Sequence, residues 1–249
     1  MCIGCAQNEL SSNLDNPSLH NNSSFPLGTA VRFKPFQKDA QLRRLQQHHF
    51  DSYTAGSDMK MNQVMPTEGR FDFSIVDSII AYAEEHNQRV FGHNLVWHSS
   101  TPEWVRHKAK QNPKWLLPFL KGYIQSYVGR YKGKVHGWDV VNEGLNTKGA
   151  GFRTDTIWYE TIGLEYIEKA FEYAHEADPD AILFYNDFNI ERDLEKFNTM
   201  IEMVQDFQKR GVPISGIGFQ MHIRMDIPND LSLIHISEPT RPLYISYAV

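Results

Sequence analysis

The chain has 249 residues, 41% of them apolar, with 25 basic and 30 acidic side chains and a net charge of −5. That length and apolar share suit one sizeable core rather than several small ones. Acid and base are interspersed, without the basic run that a nucleic-acid surface needs, and no apolar stretch is long enough to span a membrane as a helix. The two cysteines, Cys2 and Cys5, cannot form a disulfide framework of the kind that holds small secreted domains together.

Residues 1–24 are rich in Asn and Ser and read as a linker or tether. The stretch Ile3-Gly4-Cys5 resembles the end of a bacterial lipoprotein signal, which places the expected location outside the cell or on its surface. From Phe25 the pattern changes to strands alternating with helices. Short apolar runs flanked by Gly, Pro or Asn predict strands at Leu27–Phe33, Asp51–Asp58, Arg89–Trp97, Val135–Asn142, Ala181–Asp187 and Ile214–Gln220. Between them, Ile75, Ile79, Ile80 and Ala83 share one helical face, and three further helices are expected over 113–131, 156–179 and 193–211. Gly211 is placed to end the last of these, and Pro118 to bend the first turns of the 113–131 helix.

Six strand-helix units in succession predict a parallel sheet, and six of the eight units of a (β/α)8 TIM barrel. A doubly wound sheet is the rival, but no Gly-rich phosphate loop follows any strand. In a barrel, chemistry gathers at the C-terminal strand ends. Unusual polar residues fall there: Lys60 after the second strand, His93 and Trp97 in the third, Asn142 and Glu143 after the fourth, and Gln220 and His222 after the sixth. Each has an ordinary alternative, such as a loop carboxylate for Glu143, a core histidine for His93 or a packed ring for Trp97. Convergence of four strand ends on one rim favours a site. A metal held by His93, His98 and His222 lacks a carboxylate or cysteine at ligand spacing, and no metal or cofactor is expected.

The stretches GHNLVWHSSTPEW (92–104), WDVVNEGL (138–145), LFYNDFNIE (183–191) and GIGFQMHI (216–223) together resemble glycoside hydrolase family 10, the endo-β-1,4-xylanases, over roughly 27–228. The resemblance implies a metal-free, monomeric, retaining hydrolase of xylan. It implies Glu143 as general acid/base and Asn142 as a partner of the sugar 2-hydroxyl. Lys60, His93 and Trp97 would line the sugar site, and Gln220 and His222 would orient the nucleophile and touch substrate. Phe188 stands where the family often has Tyr and would stack on the leaving-group sugar. Gly56 and Ser57 replace a Glu-Asn pair, which weakens the expectation of sugar contacts further from the cleavage point. Trp104, Trp115 and Trp158 read as structural.

A retaining mechanism needs a second carboxylate about 5 Å from the first. It is expected to end the seventh strand, near or beyond position 249. Glu238, in HISEPT, comes too soon after His222 for a loop, a helix of ~10–15 residues and a return strand, and Pro239 suits a strand interior poorly. Residues 231–249 read as a foreign tail, which leaves the barrel domain at 25–230. The expectation is a barrel with exposed edges at strands one and six, impaired in turnover for want of the nucleophile. Two other readings remain open: a non-catalytic xylan-binding protein, and another retaining barrel glycosidase such as a cellulase or arabinofuranosidase.

Overall fold

The computed structural model describes residues 16–222 and the backbone of a strand at Tyr244–Tyr247. The strands are β1 (Gly28–Val31), β2 (Ser52–Ala55), β3 (Arg89–Trp97), β4 (Gly137–Asn142), β5 (Ile182–Asp187), β6 (Gly216–Phe219) and β7 (Tyr244–Tyr247). Each pairs in parallel with the next, in unbroken sequence order. A doubly wound sheet would reverse its order at a switch point. Unbroken order with helical connections between successive strands from β1 to β6 is the barrel's topology, here an incomplete (β/α)8 barrel. Among the described residues no pairing joins β1 to β7.

The helices are α1 (Phe33–Lys38), α2 (Ala40–His49), α3 (Met61–Val64), α4 (Ser74–Glu85), α5 (Glu103–Gln111), α6 (Leu116–Arg130), α7 (Ile157–Ile162), α8 (Glu165–Ala177) and α9 (Leu194–Arg210). α4 buries Val76, Ile79, Ile80 and Ala83, nearly the face expected from its spacing. The single helix expected over 156–179 is two, broken at Gly163, whose φ of 80° is a conformation glycine adopts at little cost. Pro118 is the third residue of α6. There the missing N–H would have had no helical partner, so a proline is tolerated. Gly211 closes α9 in the left-handed conformation, as expected.

Two expectations from the sequence are corrected. The N-terminal linker does not extend to residue 24: a 3-10 turn spans His20–Asn22, Ser18 is buried, and His48 Nε2 lies 2.8 Å from the carbonyl of Asn16. Local Asn and Ser bonds, such as Asn22 Nδ2 to the Ser18 carbonyl at 2.8 Å, hold this turn without an apolar pattern. The edge of β6 is not exposed either, because β7 pairs along it from Gly216↔Tyr244 to Phe219↔Tyr247. A free strand edge is a template for pairing, and Tyr-Ile-Ser-Tyr has the β-branched and aromatic content that strands favour. Position 238 lies outside the described residues.

Close packing fixes the central register. Gly92 faces Trp138 across β3 and β4, and a Cβ there would lie 2.1 Å from the indole. Trp138 is fully buried and meets Tyr127 of α6 edge-on at 5.0 Å. Gly92→Ala is therefore expected to lower the melting temperature sharply or prevent soluble folding. Gly122→Ala, on the exposed face of α6 with nothing within 4 Å, should raise stability by about 0.5–1 kcal/mol. Thermal denaturation of the two variants checks both.

Candidate active site

Glu143 follows β4 directly and has a φ of 58°. A non-glycine residue there carries a steric penalty of roughly 1–2 kcal/mol, offset by the bonds it makes. Its N–H donates to the Asn186 carbonyl at 2.9 Å, and its own carbonyl accepts from Arg153 Nε at 3.3 Å. Among the described residues the carboxyl oxygens accept from three N–H donors: Trp97 Nε1 at 2.9 Å, Gln220 Nε2 at 3.1 Å and Asn142 Nδ2 at 3.3 Å. Donors from β3, β4 and the end of β6 thus meet on one carboxyl.

Register explains the rest of the cluster. Trp97 pairs with Asn142, Asn142 with Asn186, and Asn186 with Gly218. Asn186 Nδ2 donates to Asn142 Oδ1 at 2.7 Å, and Gln220 Nε2 reaches the same oxygen at 3.2 Å. Gly218 leaves room for this amide, since a Cβ there would lie 2.3 Å from Asn186 Oδ1. His222 Nε2 lies 3.0 Å from Gln220 Oε1. That contact comes from a turn at Met221, with φ 50°, and not from the strand pleat, because β6 ends at Phe219.

His93 is held from behind. Its Nδ1 lies 2.7 Å from Oδ2 of Asp139, its register partner on β4. Burial pushes the Asp139 carboxyl above the usual carboxylate range, with the His93 hydrogen bond working against that. Lys60 places its ammonium 4.5 Å from the centre of the Trp97 ring. Burial lowers the Lys60 amine from its ordinary value, and the Glu143 carboxylate pulls it back up. The structure thus gathers Lys60, Trp97, Asn142, Glu143, Gln220 and His222 into one connected cluster. Asp58, beside the replaced Glu-Asn positions, accepts from the Phe33 N–H at 2.8 Å and caps the start of α1.

Phe188 belongs to a second, buried group. The Lys196 ammonium lies 4.0 Å from its ring centre and 2.8 Å from Asp187 Oδ1, and both charged side chains are fully buried. Tyr185 donates to Asp187 Oδ2 at 2.6 Å, and the Leu145 N–H reaches the same oxygen at 3.4 Å. This group ties the end of β5 to the loop that follows Glu143. Burial raises the Asp187 pKa, and Lys196 opposes the rise. Among the described residues no group of His, Cys, Asp or Glu is arranged to hold a metal, and no helix is long and apolar enough to cross a membrane. The sequence reading missed Asp139, Asn186, Asp187 and Lys196. A carboxylate inside the otherwise apolar run Trp138–Val141 was the available signal for Asp139. Lys196, in mid-helix, carried none.

The family model for Glycosyl hydrolase family 10 matches residues 18–238, and the chain belongs to that family. It is 41% identical to endo-1,4-beta-xylanase C of Paenibacillus barcinonensis over 83% of this chain and 20% of that protein. It is 40% identical to exoglucanase XynX of Acetivibrio thermocellus over 81% of this chain and 19% of that one. A mutant of xylanase10C from Cellvibrio japonicus, in complex with xylopentaose, superposes with a TM-score of 0.82 at 38% identity, covering 88% of this chain and 46% of that one. The chain spans about a fifth of the length of these two curated relatives.

Two outcomes follow from this geometry. Glu143→Gln removes the anion that supports the Lys60 ammonium, so the Lys60 titration midpoint should fall further, as read by 15N NMR of the side chain. Lys196→Met leaves Asp187 buried without its cation and should cost about 3–5 kcal/mol near neutral pH. Because the folded-state pKa of Asp187 is raised, its contribution is present at low pH and is lost as pH rises through that value. The difference from wild type should therefore shrink below about pH 4, where the carboxyl is protonated in the unfolded chain too. Denaturant unfolding across pH checks this.

Proposed function

We propose that the chain is the barrel portion of a retaining endo-1,4-β-xylanase, with Glu143 as its general acid/base. The observation that carries this is the carboxyl at the C-terminal end of β4, met by donors from β3, from β4 and from the residue that follows β6. A glycosidic oxygen leaves slowly unless it is protonated as its bond breaks. A carboxyl anchored on rigid strand ends can deliver that proton along a fixed direction. Asn142, held by Asn186 and Gln220, would present its amide to the sugar 2-hydroxyl, a contact that strengthens as the ring flattens. His93, backed by Asp139, and Lys60, over Trp97, would grip the ring on the non-reducing side. Phe188, braced by Lys196, would stack on the departing sugar. The neighbour's xylopentaose complex supports a xylo-oligosaccharide as ligand. With polymeric xylan as the substrate, which cannot cross a membrane unaided, the activity would lie outside the cell.

The second carboxylate has to come from outside the described residues. Within them, no carboxylate other than that of Glu143 hydrogen-bonds to Gln220 or His222, the two groups expected to orient it. A second reading, hydrolysis of β-1,4-glucan, is favoured by the resemblance to an exoglucanase. Product analysis on xylan and on cellulose separates the two.

The test has two arms. With an unactivated xylo-oligosaccharide, Glu143→Gln should lower kcat by about 10²–10⁴. An aryl xylobioside with a good leaving group should lose far less in its bond-breaking step. If the nucleophile is missing from the folded site, azide should restore turnover of the aryl substrate and yield the α-xylobiosyl azide. Brisk hydrolysis of xylan without azide would instead place a nucleophile in this chain, with Glu238 the first to substitute. Equal cleavage of unactivated substrate by wild type and Glu143→Gln would overturn the assignment of the acid.

A further inference from the structure

We propose that Arg153 is the positioning residue for Glu143: its guanidinium holds the Glu143 carbonyl and so keeps the backbone in the left-handed turn from which the carboxyl meets Trp97 and Gln220. The catalytic consequence rests on the reading of Glu143 as acid/base, but the contact itself does not.

The geometry is specific. Arg153 Nε donates to the Glu143 carbonyl at 3.3 Å, Nη2 donates to Thr147 Oγ1 at 3.0 Å, and the backbone N–H donates to the Gly144 carbonyl at 2.9 Å. The side chain is 15% exposed, and the carboxylate paired with it among the described residues, Asp155, is 4.0 Å away and 80% exposed. A distant, solvated carboxylate contributes little to an ion pair. The guanidinium is therefore placed chiefly by the Glu143 carbonyl and Thr147. At Glu143 the peptide N–H is tied to β5 through the Asn186 carbonyl. Arg153 ties the other end of the residue, so the left-handed dihedrals are clamped from both sides.

Bracing the loop is the competing explanation, and the loop has its own anchors. The Gly149 N–H donates to Asp193 Oδ2 at 2.9 Å and the Gly151 N–H to Thr199 Oγ1 at 3.1 Å, both on or at the start of α9. Asn146 closes the tip by donating its N–H to the Gly151 carbonyl and its side-chain amide to the Ala150 carbonyl. Without Arg153 these four bonds remain, and the carbonyl of Glu143 loses its donor. The guanidinium also lies close enough to His98 to lower that imidazole, after burial and against the opposing pull of Glu143.

The test reads the Trp97–Glu143 bond directly in the full chain. The Trp97 indole N–H signal is assigned by its loss in Trp97→Phe, and its dependence on the carboxyl by Glu143→Gln. In Arg153→Met the signal should shift and its hydrogen exchange should quicken about tenfold or more. The His98 titration midpoint should rise as the nearby cation is lost. In the indole signal, Arg153→Lys and Thr147→Val should show smaller changes in the same direction, and Asp155→Asn none. If Arg153→Met does not fold, Arg153→Lys and Thr147→Val carry the test. An unmoved indole signal in the folded variants overturns the proposal, even if the melting temperature falls. Failure of the wild-type chain to turn over the aryl xylobioside even with azide counts against the functional reading alone, because the indole signal requires no turnover.

Discussion

One backbone conformation organises the site. Glu143 adopts a left-handed turn immediately after a fully buried strand. A strand continuing in extended form would send the next side chain along the pleat. The turn brings the carboxyl back over the strand end instead, within reach of an indole from β3 and an amide that follows β6. The penalty for a non-glycine residue in this region persists only where surroundings over-determine it. Here they do, through Asn186 on one side and Arg153 on the other.

The parallel sheet makes that arrangement possible. Register places Trp97, Asn142, Asn186 and Gly218 side by side across four strands. Each then supplies one part: a donor, an amide, a support for that amide, and the space the support needs. The sheet holds these positions because β4 and nearly all of β5 are buried, with β4 packed against α6 and α8. Behind the rim, two charged contacts do different work. The Asp139 carboxylate fixes the His93 ring, and the Asp187–Lys196 pair links β5, the loop after Glu143 and the Phe188 ring. The Asp187–Lys196 pair places ionic groups where water does not reach, so each partner depends on the other's presence.

Much of this was legible in the linear chain. The six strands before residue 220 were readable because short apolar runs ended in Gly, Asn or Pro, and α4 and α9 because their apolar spacing and the terminal Gly211 agree. Short helices such as α1 and α3 were not, since their few residues carry no periodic face and are shaped by what they pack against. The turn at residues 18–24 was hidden for a related reason: its side chains bond locally, and polar composition looks the same in a linker and in a bonded turn. β7 was hidden because strand formation there depends on an edge supplied by distant residues.

By itself the sequence determined the order of strands and helices and the kinds of group delivered to the strand ends: Lys60, His93, Trp97, Asn142, Glu143, Gln220 and His222. Those follow from period and punctuation, which are local properties of the chain. Only the tertiary structure decided which of them touch, that Asp139 stands behind His93, that Lys196 braces Phe188, and that Arg153 reaches the carbonyl of Glu143. Such contacts join residues far apart in the chain or fixed by a turn's exact path. They exist only once backbone register has chosen the neighbours, and register is a property of the folded sheet as a whole.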